Sequence, residues 1–83
     1  MTLLYFAWVR QRIGRGKEAL SLPPDTKTVA DLIAHLKERD TCYGDAFSDL
    51  RRIRVAVNQD HAGFDTPLRD SDEVAFFPPV TGG

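Results

Sequence analysis

Residues 28–40 read TVADLIAHLKERD, and this stretch decides the fold. Val29, Leu32, Ile33 and Leu36 recur at i, i+3, i+4 and i+7, which puts one apolar stripe along a helix. Thr28 with Asp31 three residues on resembles a capping box, although Asp is a shorter partner than Glu or Gln. Lys37 and Arg39 fall in the last turn, where positive charge suits the helix dipole, and the helix is expected to end near Asp40. His35 lies roughly opposite the stripe and reads as a solvated helix residue, since no neighbouring ligand supports a metal role. A single amphipathic helix has one face to bury and needs one face of a sheet to bury it against.

The flanks supply the sheet. On the N-terminal side, residues 3–9 (LLYFAWV) predict an opening strand with Leu3, Tyr5, Ala7 and Val9 on one face and Leu4, Phe6 and Trp8 on the other. Both faces are apolar, which calls for a second covering layer or a surface meant for a partner. A chain of 83 residues has little material for a second layer. The glycines of IGRG at 13–16 suit a hairpin turn, a return strand is expected over 18–22, and Pro23 and Pro24 stop it.

On the C-terminal side, residues 41–49 read as a loop with a short helical turn around 46–50. IRVAVN at 53–58 is a strand with Ile53, Val55 and Val57 facing one way and Arg52, Arg54 and Ala56 the other. Arg51, Arg52 and Arg54 are either a docking patch or a solvated strand face. NQDHAG at 58–63 is turn-forming, and His61 within it has no acid–base partner in the sequence. PLRDSDE at 67–73 is a second turn, so Asp70, Asp72 and Glu73 read as polar turn residues in place of catalytic carboxylates. EVAFF at 73–77 is the final strand.

Strand, hairpin, strand, helix, loop, strand, short strand, strand gives an α+β domain of two layers: a β-grasp, the ubiquitin-like roll, with a mixed sheet and one main helix. Its first and last long strands are expected side by side in the middle, parallel after the crossover. The β-grasp domain is assigned to residues 1–77 and an extended functional tail to residues 78–83.

Composition removes several function classes. With 42% hydrophobic and 28% charged residues the chain is an ordinary globular one, and a formal net charge of −1 gives no electrostatic case for nucleic acid, which normally needs a concentrated basic face. No apolar run approaches the roughly 20 residues that span a bilayer, and no basic region precedes the N-terminal apolar run as a signal peptide requires. Cys42 is the only cysteine, which excludes an internal disulfide and fits a reducing, cytoplasmic setting. No histidine or basic run sits beside Cys42 to lower its pKa, so a nucleophilic role is not expected.

The tail PPVTGG at 78–83 is the unusual feature. Pro78 and Pro79 lack a backbone N–H and end the sheet pairing, leaving the chain stiff and extended. The six residues can project roughly 20 Å at about 3.3–3.6 Å per residue. Val80 and Thr81 are small and uncharged, and Gly82 and Gly83 remove every side chain from the tip. A frayed terminus is the plain alternative, but such tails usually follow a polar stretch, whereas this one leaves straight from an apolar strand.

FAWVR at 6–10, AVNQ at 56–59 and PLRDSDEVAFFPPVTGG at 67–83 together resemble the small-subunit family of molybdopterin synthase, the ubiquitin-like sulfur carriers of molybdenum cofactor biosynthesis. FPPV-x-GG at the extreme terminus is the specific part, since a bare Gly-Gly is shared with ubiquitin and every related modifier. Residues 11–52 match only in pattern.

The resemblance implies that the carboxylate of Gly83 is adenylated by a ubiquitin-activating-like adenylyltransferase using ATP. It is then thiocarboxylated with sulfur from a sulfurtransferase. Gly82 keeps the tip slender, while Thr81, Val80, Pro79 and Pro78 line an insertion slot in the large catalytic subunit of a heterotetrameric synthase. The resemblance puts Phe77 at the mouth of that slot, and strand alternation adds Phe6 and Trp8 to it as the expected partner interface, the alternative being that one or both aromatics pack under the long loop. The sulfur goes to cyclic pyranopterin monophosphate to build the molybdopterin dithiolene, and acid–base residues belong to the large subunit, so this subunit itself is non-catalytic. The resemblance implies no stably bound cofactor, metal, nucleic acid or membrane. Rival readings are a sulfur carrier for thiamine, tRNA thiolation or amino-acid synthesis, a conjugated protein modifier, and an interaction module with an inert tail.

Overall fold

The computed structural model describes residues 1–79. Its strands are β1 (Thr2–Tyr5), β2 (Lys17–Ala19), β3 (Arg54–Val57), β4 (Asp60–Ala62) and β5 (Glu73–Phe77). Its helices are α1 (Ala7–Ile13), α2 (Val29–Arg39) and α3 (Thr41–Ala46), with a 3-10 turn at Leu50–Arg52. The sheet runs β2-β1-β5-β3-β4. β1 and β5 are parallel neighbours near its centre, with Leu3 opposite Val74 and Tyr5 opposite Phe76, and β3 lies antiparallel on the far side of β5. α2, the longest helix, packs on one face, as the stripe in residues 28–40 predicts.

The cap of α2 forms as expected. The Asp31 N–H donates to Thr28 Oγ1 at 3.3 Å, and the Thr28 N–H donates to Asp31 Oδ2 at 3.2 Å. Val29, Leu32, Ile33 and Leu36 are all buried. They meet Leu3, Tyr5, Val55, Val74 and Phe76 from the inner face of the sheet. Phe76 stacks on Tyr5 at 6.0 Å and takes the edge of Phe47 at 5.0 Å, so three aromatic rings anchor the centre.

Two local expectations are corrected. The opening strand stops at Tyr5, and residues 7–13 form a helix in place of a strand and hairpin turn. Ala7 takes a positive φ of 53°, which turns the chain, and the N–H groups of Val9 and Arg10 both donate to the Phe6 carbonyl. Val9 and Ile13, four apart, are both buried, so the apolar run obeys the helical period where the strand period was read. Gly14, at φ 88°, closes the helix with its N–H on the Arg10 carbonyl at 2.8 Å, a C-terminal stop whose left-handed conformation suits glycine. β2 still pairs antiparallel with β1, with Thr2 opposite Ala19.

The second correction concerns residues 41–49, where α3 replaces the expected loop. Asp40 ends α2 and caps α3, its Oδ1 accepting from the Cys42 N–H at 3.2 Å.

β2 also places one carboxylate inside. Glu18, opposite Leu3, has a side chain only 7% exposed. Its Oε1 accepts from Tyr5 Oη at 2.8 Å and from Tyr43 Oη at 2.6 Å, and its Oε2 faces Arg15 at 3.3 Å and Arg39 at 3.5 Å. Burial alone raises the Glu18 pKa, but the two phenols and two guanidiniums outweigh it and hold the carboxyl below its ordinary value. Burial and the Glu18 carboxylate push Tyr43 up to about 12 and Tyr5 further still.

Glu18→Ala, which strands both phenols, is therefore expected to cost about 2–4 kcal/mol in urea melts. A group with a depressed folded pKa stabilises above its unfolded value and loses that contribution as pH falls through the folded one. The advantage of the wild type over Glu18→Gln should accordingly shrink below about pH 4. The tyrosines have raised values, so their contribution holds below about pH 10 and fades as pH rises past it. An advantage over Glu18→Gln that stays constant from pH 7 to pH 3 would rule out a charge-dependent role.

Candidate functional site

α2 covers one face of the sheet and leaves the other as the candidate surface. Alternation along the strands puts Leu4, Ala75 and Ala56 on this outer face, in register with one another. Phe77 follows, opposite Arg54, and His61 lies opposite Ala56 on the neighbouring strand. Phe6 extends β1 by one residue, its N–H donating to the Phe76 carbonyl at 3.1 Å, so it stands next to Phe77 in the parallel register. Phe6 is 48% exposed, more than any other large apolar side chain among the described residues. Phe77 is half-buried, with the His61 ring edge-on at 5.6 Å.

Phe6 and Phe77 are thus brought together as the sequence predicts, but Trp8 is not on that strand face. Because the strand ends at Tyr5, Trp8 belongs to α1. It packs half-buried against the core with the Arg52 guanidinium 5.2 Å from its ring centroid. Sequence alternation identified Arg54 as outward-facing. The contact of His61 with Phe77 depends on the β3–β4 hairpin register and has no local signal.

β5 is pinned at its start. Asp72 Oδ2 accepts from the Arg69 N–H at 2.8 Å and its Oδ1 from Asn58 Nδ2 at 2.9 Å, while Asn58 Oδ1 accepts from the Glu73 N–H at 3.0 Å. Asn58 and Gln59 have φ of 53° and 70°, the two positive values that close the tight β3–β4 hairpin. AVNQ therefore works as a clamp on the strand that carries the tail. Asp70 accepts from the Leu22 N–H at 2.7 Å, a structural use that lowers its pKa. β5 ends at Phe77, and Pro78 and Pro79 lie half-buried beyond the sheet. Val80, Thr81, Gly82 and Gly83, the expected slot-lining and reacting residues, lie outside the described residues.

The remaining reactive side chains are poor sites. The Cys42 thiol is free, and burial followed by the nearby Asp40 carboxylate pushes its pKa up, away from thiolate character. His35 lines a surface depression of about 280 Å³ with Asp25, Asp31 and Glu38, and Asp31 there is already committed to the α2 cap. Among the described residues, no group of three or more His, Cys, Asp or Glu is placed to hold a metal ion. None of their helices is long and apolar enough to cross a membrane.

Comparison with known proteins places these features. The ThiS family matches residues 3–83. The molybdopterin synthase sulfur carrier subunit of Escherichia coli (strain K12) is 43% identical over 81 residues, covering 98% of this chain and 96% of that protein. A solved Pyrococcus furiosus protein, described as a candidate molybdopterin converting factor subunit 1, superposes with a TM-score of 0.74 at 33% identity and 95% coverage of both chains. The small archaeal modifier protein 1 of Methanosarcina acetivorans superposes with a TM-score of 0.71 at 27% identity, covering 99% of this chain and 94% of that one. The likeness thus reaches residues 11–52, where the motifs match only in pattern.

Proposed function

The chain belongs to the ThiS family, and on that premise we propose that it is the sulfur carrier subunit of a cytoplasmic molybdopterin synthase. The observation that carries the reading is that β5, clamped at its start and flanked by Phe6 on an uncovered face, runs directly into FPPVTGG. Full-length likeness to a molybdopterin synthase sulfur carrier subunit supports it.

The chemistry follows from the terminus. An α-carboxyl has a pKa of about 3.3–3.7, so Gly83 is an anion at neutral pH and a poor electrophile. Attack of that carboxylate on the α-phosphorus of ATP, bound to an adenylyltransferase, expels pyrophosphate and gives a mixed anhydride. Sulfur at the oxidation level of sulfide, delivered by a sulfurtransferase, then displaces AMP and leaves a thiocarboxylate. Its charge rests partly on polarisable sulfur, which makes it a good nucleophile. Inserted into the large subunit, it passes sulfur to cyclic pyranopterin monophosphate, and two such donations complete the dithiolene. ATP is a co-substrate of the activating partner and is not held by this chain.

The test is reconstitution with the cognate large subunit and the pyranopterin substrate. The thiocarboxylated chain should form dithiolene with two chains consumed per product, and Cys42→Ser should perform as the wild type does. No product from a chain shown to carry the thiocarboxylate would defeat the assignment. Likeness to a small archaeal modifier favours one second reading, conjugation of Gly83 to a lysine. An isopeptide-linked product in the cognate extract, without dithiolene formation in the reconstituted system, would establish it instead.

A further inference from the structure

We infer that the end of the sheet from which the tail leaves is a basic collar that docks a protein surface bearing acidic side chains around an apolar centre. The inference rests on the sulfur-carrier reading and specifies the chemistry of the partner's surface.

The topology gathers the charges. β1 and β5 finish at the same end and β3 begins there, with Arg54 opposite Phe77. α1 starts two residues after β1 and carries exposed Arg10 and Arg12, while the 3-10 turn delivers Arg51 and Arg52 just before β3. One carboxylate lies among them, Asp49 at the start of the 3-10 turn, and the other acidic residues near the sheet ends fall elsewhere. Asp70, Asp72 and Glu73 lead into the opposite end of β5, and Asp60 pairs with Val57 at the far end of β3. Arginines thus outnumber carboxylates at the end of the sheet where β5 finishes, although the chain as a whole has a net charge of −1.

Two of the arginines are held in place outside any direct ion pair, although Asp49 lies near Arg52. The Arg52 guanidinium lies 5.2 Å from the Trp8 ring centroid. Arg54 Nη1 donates to the carbonyls of Ile53 at 3.2 Å and Arg51 at 3.4 Å. Among the described residues neither makes an ion pair, whereas Arg51 pairs with Asp49 at 3.1 Å. A guanidinium fixed by a ring face or by carbonyls keeps its full charge for a partner and loses little freedom on docking. Trp8 is thus a positioning residue for Arg52.

The occupant is a protein rather than a nucleic acid, because the collar borders an apolar centre at Phe6 and Phe77. Nucleic-acid binding needs an extended basic face, while a charge-poor aromatic centre with a charged rim is the anatomy of a protein interface. Rim charges act chiefly on the rate of encounter.

The test is stopped-flow association with the cognate large subunit across a range of salt concentrations. A double variant, Arg52→Ser with Arg54→Ser, should associate on the order of 10-fold more slowly at low salt, with a flattened salt dependence and little change in dissociation. Arg52→Lys with Arg54→Lys should retain most of the rate. Lys27→Ser with Lys37→Ser, an equal charge change just before and within α2, should match the wild type. Association of the wild type that ignores salt, or equal slowing by the two serine pairs, would overturn the collar. No association of the wild type at any salt would instead remove the sulfur-carrier reading, and the inference with it.

Discussion

A chain extended by one residue beyond Gly83 is expected to fold and dock normally and yet deliver sulfur at least about 100-fold more slowly. One extended residue displaces the reacting carbon by up to about 3.6 Å. A misplacement of about 1 Å can already cost on the order of 100-fold in rate. Gly82→Val keeps the length but adds bulk and forbids positive φ, so it tests slenderness alone. The described core is built without either position, so thermal midpoints should stay within about 2–4 °C of the wild type, the shift of a change of about 0.5 kcal/mol. Single-turnover transfer from the thiocarboxylated variants, with binding measured separately, gives the answer. Wild-type transfer by the extended chain would mean that the tail is not a fitted rod.

The second large effect belongs to the outer face. Phe77→Asp should weaken binding to the large subunit roughly 30- to 800-fold, the range for losing a centrally buried aromatic worth about 2–4 kcal/mol. The fold should survive, because Phe77 points away from the helices while Val74 and Phe76, on the other face of β5, carry the core. Phe6→Asp should act in the same direction through the neighbouring position on β1. Calorimetry with a folded Phe77→Asp variant decides it, and unchanged affinity would place the interface elsewhere.

The parts of this account that repeat with a clear period were legible in the sequence. The α2 stripe, its Thr28–Asp31 cap, the inward Ile53, Val55 and Val57, and the parallel central pair all followed from spacing and connection rules. The N-terminal region was misread because LLYFAWVRQRI satisfies two periods at once. Leu3 and Tyr5 alternate as a strand, Val9 and Ile13 repeat as a helix, and the switch lies in the positive φ of Ala7, which no local composition announces. α3 was missed because TCYGDA has no stripe and only Ala46 as a strong helix former; its cap by Asp40 and the burial of Tyr43 and Ala46 hold it.

At the candidate site, the pairing of Phe6 with Phe77 was readable from alternation. Trp8 was misplaced as a direct consequence of the strand that ended early. The collar needed the register of β3 against β5, and the network around Glu18 needed contacts between β1, β2 and α3 that no stretch of sequence contains.

The central claim is that Gly83 carries the sulfur, and locating the sulfur by mass tests it most directly. The purified chain is incubated with its cognate activating enzyme, ATP and a sulfur donor, then measured intact and as proteolytic fragments. The account predicts exchange of one oxygen for sulfur, confined to the C-terminal fragment, dependent on ATP, and absent from a chain lacking Gly83. Sulfur on the fragment containing Cys42, or on the shortened chain, would contradict it.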